Sequence, residues 1–171
     1  MKIYSLILAK GQSKRLPHKN IRMFHGKPMF LWNVEKCLGI FDECYVSSDS
    51  DKILKMAKKA GAIPIKRNKA LCGNVPNIPI YQQSLKAMKD ADVIVAIQAC
   101  SPTIDEWLLE TTKNLMLSGC KELMTCHPME ENEVVVNKEL RKQNNKQKEQ
   151  ICTTETAEKQ RTVTRWFSWK P

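Results

Sequence analysis

The sequence lacks any arrangement of cysteine and histidine that is typical of a zinc site. Its seven cysteines include no Cys-x-x-Cys pair, and its three histidines do not cluster with them. Zinc sites built from these residues need closely spaced pairs of thiolate or imidazole ligands. The sequence therefore argues against a zinc centre.

Long apolar runs are also missing. No stretch approaches about eighteen consecutive apolar residues, as a transmembrane helix requires, and the chain does not open with a basic and then apolar leader. We therefore expect a soluble, cytoplasmic protein with reduced cysteines and no membrane partner.

With 171 residues, of which 42% are hydrophobic, the chain can bury one full core, so residues 1–171 are predicted to form a single domain.

Two common nucleotide-binding motifs are absent. The sequence contains neither Gly-x-x-x-x-Gly-Lys-Ser/Thr nor Gly-x-Gly-x-x-Gly. The first motif cradles phosphates in P-loop proteins, and the second binds dinucleotides in Rossmann folds. The sequence therefore disfavours a P-loop kinase and a dinucleotide-dependent dehydrogenase.

The chain has instead an apolar run that breaks into a basic loop. Residues 3–9 predict a buried parallel strand, and residues 10–20 then carry four cations, namely Lys10, Lys14, Arg15 and Lys19. Gly11 permits a tight backbone whose amides, together with Ser13 and Asn20, can bind oxygen atoms. A basic loop at the carboxyl end of a parallel strand suits a polyanion, so we expect a nucleoside triphosphate there.

The charge distribution supports an anionic ligand near that loop. Residues 1–60 carry 12 Lys and Arg against 5 Asp and Glu, whereas the whole chain has a net charge of +10. A solvated lysine-rich surface would explain part of this excess, and a basic nucleic-acid-binding module is an alternative. No aromatic residue lies among the cations of residues 10–20, however, and single-stranded nucleic acid favours such stacking platforms. The sequence therefore disfavours nucleic acid as the partner.

Strand-like and helix-like segments alternate along the chain. Strands are predicted at 3–9, 43–47, 62–65, 92–97 and 122–126, and helices at 28–38, 52–60, 78–88 and 104–117, with Gly39 ending the first helix and Thr103 capping the last. This alternation predicts an α/β fold of three layers, in which a mostly parallel sheet carries helices on both faces. The polar tract 130–150 predicts a mobile excursion.

Several motifs resemble those of the acylneuraminate cytidylyltransferases, also called CMP-sialic acid synthetases. The motifs are LAKGQSKRLPHKN at 8–20, GKP at 26–28, VSSD at 46–49, Arg67 followed by Leu71, and QACSP at 98–102. Their order and spacing match the family across roughly residues 3–126. The first motif is fairly specific to this family, whereas the later motifs indicate the family only when they are taken together.

The resemblance implies a single-domain nucleotidyltransferase with the fold of the nucleotide-diphospho-sugar transferases. In this family CTP and an acidic nine-carbon sugar, a nonulosonic acid, give a CMP-sugar and pyrophosphate with the help of Mg²⁺. The resemblance is also compatible with a homodimer. No metal ligand is assigned.

The resemblance also assigns roles to matching positions. It implies that the catalytic residues are Lys10, Lys19 and Arg161, and that the nucleotide is bound by Lys10, Gly11, Ser13, Lys19, Asn20 and Arg67. Gln98 and Ser101 match a strand-end loop that serves the sugar. Lys10 stands where the family usually has arginine, which keeps the cation but lowers the capacity for bidentate contacts.

Departures from the family pattern leave alternatives open. Ala99 and Cys100 replace the usual Pro and Thr, Thr103-Ile104 replaces a usual Leu-Arg, and Asn74 stands where an Asp is common, so the sugar could be another keto-deoxy acid. A degenerate relative that binds a nucleotide without turning it over is a second alternative. The family continues beyond the point matching Pro171 with a dimer segment and an Asp-x-Asp pair for Mg²⁺, so we expect this chain to bind CTP and to turn over slowly or not at all.

Overall fold

The central element of the fold is a four-stranded parallel sheet. The computed structural model describes residues 1–13, 16–73 and 75–123. The sheet consists of β1 (Ile3–Leu8), β4 (Glu43–Ser48), β5 (Ile63–Lys66) and β6 (Val93–Gln98), and the short strands β2 (Met23–Phe24) and β3 (Lys27–Pro28) form a separate antiparallel pair. The order in the sheet is β5-β4-β1-β6, and all neighbours are parallel.

Helices cover both faces of this sheet. They are α1 (Met29–Ile40), α2 (Asp51–Lys59), α3 (Asn77–Leu85) and α4 (Glu106–Leu117), with two 3₁₀ turns at Lys19–Ile21 and Lys69–Leu71. Side chains alternate along β1, so Ile3 and Ile7 pack with α1, α2 and α4 on one face. Tyr4 and Leu6 point to the other face, where α3 packs. The predicted three-layer α/β architecture is confirmed.

The register of the sheet brings three loops to one edge. Leu8 at the end of β1 pairs with Ser47 of β4 on one side and with Gln98 of β6 on the other. The chain runs from β1 outward to β4 and β5 and then returns to the opposite side of β1 as β6. This reversal creates a switch point between β1 and β6, the position at which open α/β sheets bind ligands.

Three predicted helix boundaries are wrong. Gly39 does not end α1, which continues to Ile40, because Gly39 does not take the positive φ of a helix-ending glycine. The Ile40 carbonyl oxygen accepts a hydrogen bond of 2.5 Å from Lys113 Nζ of α4. The helix α3 ends at Leu85 and not at residue 88.

Thr103 does not cap α4, whose N-cap is Asp105. The segment before Asp105 forms a turn, in which the Ile104 N–H donates a hydrogen bond of 3.3 Å to the Ser101 carbonyl oxygen. The Ile104 carbonyl oxygen accepts a hydrogen bond of 2.6 Å from Lys36 Nζ.

Several other expectations concern residues beyond the described ranges. Residues 122–123 belong to no strand, and the rest of the strand predicted at 122–126 lies outside the described residues, as do the tract 130–150 and Arg161. Within the described ranges, no helix has both the length and the apolar character needed to cross a membrane.

The loop after β1 runs very close to the turn after β4. The Gly11 N–H donates a hydrogen bond of 2.6 Å to Asp49 Oδ1. A Cβ atom at Gly11 would lie 2.6 Å from the Ser50 Cβ atom, which is closer than such atoms come in folded proteins. Glycine is therefore required at position 11 by the neighbouring turn.

Replacing Gly11 with alanine is expected to destabilise the fold. The added methyl group must displace the Ser50 side chain or the loop, and overpacking of this kind costs about 1–3 kcal/mol. Gly39→Ala is the matched control, because a Cβ at Gly39 meets nothing within 4 Å and alanine favours a helix. Urea unfolding of both variants measures the difference, and equal stabilities would contradict a steric requirement at Gly11.

Candidate active site at the carboxyl edge of the sheet

Two adjoining clefts lie at the edge where the parallel strands end. The larger, about 570 Å³, is here called the loop cleft, and its polar lining comprises Lys10, Gln12, Ser13, His18, Asp49, Ser50 and Lys52. The smaller, about 390 Å³, is called the sheet cleft, and apolar residues, including Leu8, Val75, Ile80, Tyr81, Ala96 and Ile97, form much of its wall. Lys10 and Gly73 line both clefts, so Lys10 lies where the two meet.

The loop after β1 is fixed at its base by side chains. Asn20 Nδ2 donates a hydrogen bond of 2.8 Å to the Lys10 carbonyl oxygen. His18 Nδ1 lies 3.3 Å from the Gly11 carbonyl oxygen, to which it can donate only as Nδ1–H. His18 adopts the left-handed conformation, with φ of 53°, at the point where the chain turns back. These bonds and the Gly11–Asp49 bond hold the two ends of the loop together.

Arg67 is a buried cation beside the sheet cleft. Only 5% of its surface is exposed, and burial lowers the pKa of its guanidinium, whereas the charge of Asp49 raises it. Its Nε donates to Ser47 Oγ at 3.2 Å, and its Nη2 donates to the Ser47 carbonyl oxygen at 3.0 Å. Among the described residues, Arg67 makes no ion pair and Nη1 has no hydrogen-bond partner. Arg67 therefore retains N–H donors for a ligand.

The loop after β6 is held in place by α1. Asn33 Nδ2 donates 2.8 Å to the Gln98 carbonyl oxygen, and Lys36 Nζ donates to the carbonyl oxygens of Pro102 and Ile104 at 3.2 and 2.6 Å. The Gln98 side chain is exposed and lies in the lining of the sheet cleft, where its Oε1 is 3.8 Å from Cys100 Sγ. The backbone of this loop is thus fixed while the Gln98 amide faces the cleft.

The structure brings together five of the residues predicted from the sequence. Lys10, Gly11, Ser13, Arg67 and Gln98 line the two clefts. Lys19, Asn20 and Ser101 line neither cleft, and the Asn20 side chain is turned towards the Lys10 backbone. Lys14, Arg15, Asn74 and Arg161 lie outside the described residues.

Sequence reasoning missed several residues of the clefts. His18, to which the sequence motifs assign no role, lines the loop cleft. Lys52, on the first turn of α2, lines the same cleft, and Asn77 and Tyr81 of α3 line the other. The position of Lys52 on the helix that follows a parallel strand was the available signal, whereas α3 gave none.

The described residues do not form a metal site of their own. No group of three or more histidine, cysteine, aspartate or glutamate side chains comes together within the described ranges. Asp49 is the one carboxylate among the described residues that line the clefts. Magnesium bound by protein normally needs at least one or two carboxylates together with phosphate oxygens and water. The described cleft residues therefore supply at most one carboxylate to a magnesium ion carried by substrate phosphates, and no step is assigned to a metal.

Similar proteins are cytidylyltransferases. The chain is 34% identical to the pseudaminic acid cytidylyltransferase of Campylobacter jejuni serotype O:2 over 118 residues, which are 64% of this chain and 51% of the relative. It is 33% identical to the N-acylneuraminate cytidylyltransferase A of Danio rerio over 105 residues, which are 60% of this chain and 24% of the relative. The chain thus spans about half the length, or less, of these curated relatives.

A solved structure of a cytidylyltransferase has a similar fold. A cytidylyltransferase from Leptospira borgpetersenii superposes with a TM-score of 0.61 and 28% identity over 74% of this chain and 54% of that one. The model of a family described as cytidylyltransferase matches residues 4–160, which is most of the chain. The resemblance inferred from the sequence motifs is confirmed, and the chain belongs to the cytidylyltransferase family.

Proposed function

We propose that this chain transfers a cytidylyl group from CTP to an acidic nine-carbon sugar, giving a CMP-sugar and pyrophosphate. The observation that carries the proposal is the meeting of two different clefts at Lys10, at the carboxyl edge of the sheet, in a chain of this family. One cleft suits phosphates and the other suits a nucleoside. The relatives' names support an acidic sugar of the sialic acid type as the acceptor.

The sheet cleft suits the nucleoside part of CTP. Apolar side chains such as Leu8, Val75 and Ile80 form part of its wall, and Arg67 and Asn77 place polar groups beside them. A base needs both kinds of contact, apolar surface for its ring and a few convergent polar groups for its edge. The free N–H donors of Arg67 match the carbonyl and ring nitrogen acceptors of cytosine.

The loop cleft suits the triphosphate. Lys10 and Lys52 supply positive charge, and Ser13 and His18 supply further hydrogen-bonding groups. The position of Lys10 at the junction of the clefts supports a contact with the α-phosphate, which joins the nucleoside to the outer phosphates. The predicted phosphate role of Lys10 is therefore retained. The roles of Lys19 and Arg161 remain predictions.

The chemistry follows from this placement. The anomeric hydroxyl oxygen of the sugar forms a bond to the α-phosphorus, and the bond from the α-phosphorus to the bridging oxygen breaks. Pyrophosphate leaves with the bonding electrons, and the hydroxyl proton is released. Lys10 offsets charge that develops on the phosphate oxygens, which is the kind of fixed electrostatic stabilisation that contributes most to such transfers. The family motif assigns Gln98, which lies at the end of β6 in the lining of the sheet cleft, to the sugar.

A direct assay tests the reaction. The chain is incubated with CTP, Mg²⁺ and each of three acids, namely N-acetylneuraminic acid, pseudaminic acid and a 3-deoxy-octulosonic acid, and both CMP-sugar and pyrophosphate are measured. The proposal expects both products with a nine-carbon acid. Binding of CTP without either product would favour the degenerate relative, and products with the octulosonic acid alone would favour the rival keto-deoxy sugar.

Lys10→Ala is expected to weaken CTP binding at least about tenfold. Hydrogen bonds to charged groups contribute about 1.5–3 kcal/mol, and a tenfold change corresponds to about 1.4 kcal/mol. Lys58→Ala is the matched control, because Lys58 is exposed on the last turn of α2 and lines neither cleft. Calorimetric titration with CTP compares the two variants, and equal affinities would remove Lys10 from the nucleotide site.

Gln98→Ala is expected to weaken acceptor binding about 2–10-fold and to leave CTP affinity within about twofold, since one neutral hydrogen bond contributes about 0.5–1.5 kcal/mol. The loop should keep its path, because α1 holds the Gln98 carbonyl oxygen and not its side chain. Thr103→Ala, an exposed change in the same loop, is the control. Equal losses for both ligands with a lowered melting temperature would show that Gln98 is structural.

A further inference from the structure

Asp49 occupies an unexpected place in the proposed site. It directly follows β4, lines the loop cleft, and accepts the Gly11 N–H at 2.6 Å. The other charged residues of that cleft, Lys10 and Lys52, are cations. By charge alone, a carboxylate in this cleft opposes the binding of a triphosphate.

Two ordinary roles for Asp49 do not agree with its contacts. The N-cap of α2 is Ser50, and no side-chain bond from Asp49 to the helix is found in the described residues. Asp49 also belongs to no group of three or more acidic, cysteine or histidine side chains that could hold a metal ion within those residues. The contact that it does make is to the backbone of the loop after β1.

This contact controls the course of the loop. The sheet-like pairing beyond β1 ends with the Ala9 N–H bond of 3.0 Å to the Ser47 carbonyl oxygen. The next amide along the loop with a described hydrogen bond is that of Gly11, and its partner is the Asp49 carboxylate. A hydrogen bond to an ionised acceptor is about twice as strong as a neutral one. Lys10 therefore lies between two bonds that tie the loop to the end of β4.

We propose that Asp49 is a positioning residue, which holds the Lys10–Ser13 segment in the conformation that receives the triphosphate. This inference rests on the proposed function. Asp49 acts through the Gly11 amide and touches no reacting atom. Its charge also favours the buried Arg67 guanidinium, so the same carboxylate supports groups on both clefts.

The direction in which CTP affinity changes on replacing Asp49 distinguishes a positioning role from simple charge repulsion. If Asp49 only repels phosphate, Asp49→Ala should strengthen CTP binding. If Asp49 positions the loop, Asp49→Ala should weaken binding of CTP and of inorganic tripolyphosphate at least about tenfold, the effect expected when a charge-assisted hydrogen bond is lost. Asp49→Asn keeps an oxygen that can accept the Gly11 N–H, so its affinities should stay within about threefold of the wild type.

Hydrogen exchange supplies a readout that needs no nucleotide. Amide exchange of the peptide covering residues 9–20 is expected to accelerate in Asp49→Ala and to remain near the wild-type rate in Asp49→Asn. Asp51→Ala is the matched control, because Asp51 is an exposed carboxylate two residues further on that pairs with Lys66. It removes the same charge without touching the loop, so it should change neither exchange nor CTP affinity.

The outcomes separate the two proposals. Failure of the wild-type chain to bind CTP and tripolyphosphate would overturn the proposed function, while exchange of residues 9–20 would still decide whether Asp49 fixes the loop. Unchanged exchange in Asp49→Ala, or a gain in CTP affinity, would overturn the positioning role. If Asp49→Ala does not fold, Asp49→Ser, whose oxygen lies one bond closer to the backbone and falls short of Gly11, replaces it.

Discussion

The pairing of β1 on both of its edges is the constraint on which the site depends. Leu8 is in register with Ser47 on one side and with Gln98 on the other, so the loops after β1, β4 and β6 must leave the sheet at the same level. Alternation along β1 sends Ile3 and Ile7 into one core and Tyr4 and Leu6 into the other. If the register of β1 against its neighbours shifted by one residue, each of its side chains would point to the opposite face of the sheet, and the three loops would no longer leave the sheet at the same level. The pairing that buries the side chains of β1 therefore also fixes the geometry of the clefts.

The effect of each charged side chain in the site depends on how deeply that side chain is buried. Arg67 is nearly enclosed, and its cost of desolvation is offset by the Ser47 hydroxyl and carbonyl oxygens and by the field of Asp49. Lys52 is exposed, so water screens its charge more strongly. A buried guanidinium therefore offers directed hydrogen bonds at the sheet cleft, whereas the exposed lysine contributes mainly general attraction for an anion.

The sequence predicted the sheet and the place of the basic loop well, because both depend on local patterns. Apolar runs next to amphipathic segments located β1, β4, β5 and β6, and the cations after β1 located Lys10. Contacts between distant segments were not predictable in this way. Gly11 proved necessary because Ser50, thirty-nine residues away, leaves no room for a Cβ, and Asn20 turned towards the Lys10 carbonyl oxygen. Local rules also misplaced the end of α1 and the start of α4, where lysines from other helices bind backbone oxygens.

The way in which α1 holds the loop after β6 has a consequence for how such a site can diversify. Asn33 and Lys36 bind carbonyl oxygens, at Gln98, Pro102 and Ile104, and carbonyl oxygens are present whatever side chains follow. The backbone of the loop is therefore held by bonds that do not depend on the side chains of the loop. Cys100, Ser101 and Thr103, which are not buried, can be exchanged without moving the loop that presents them, whereas Ala99 is packed in the core. An architecture of this kind separates the evolution of ligand preference from the maintenance of the fold.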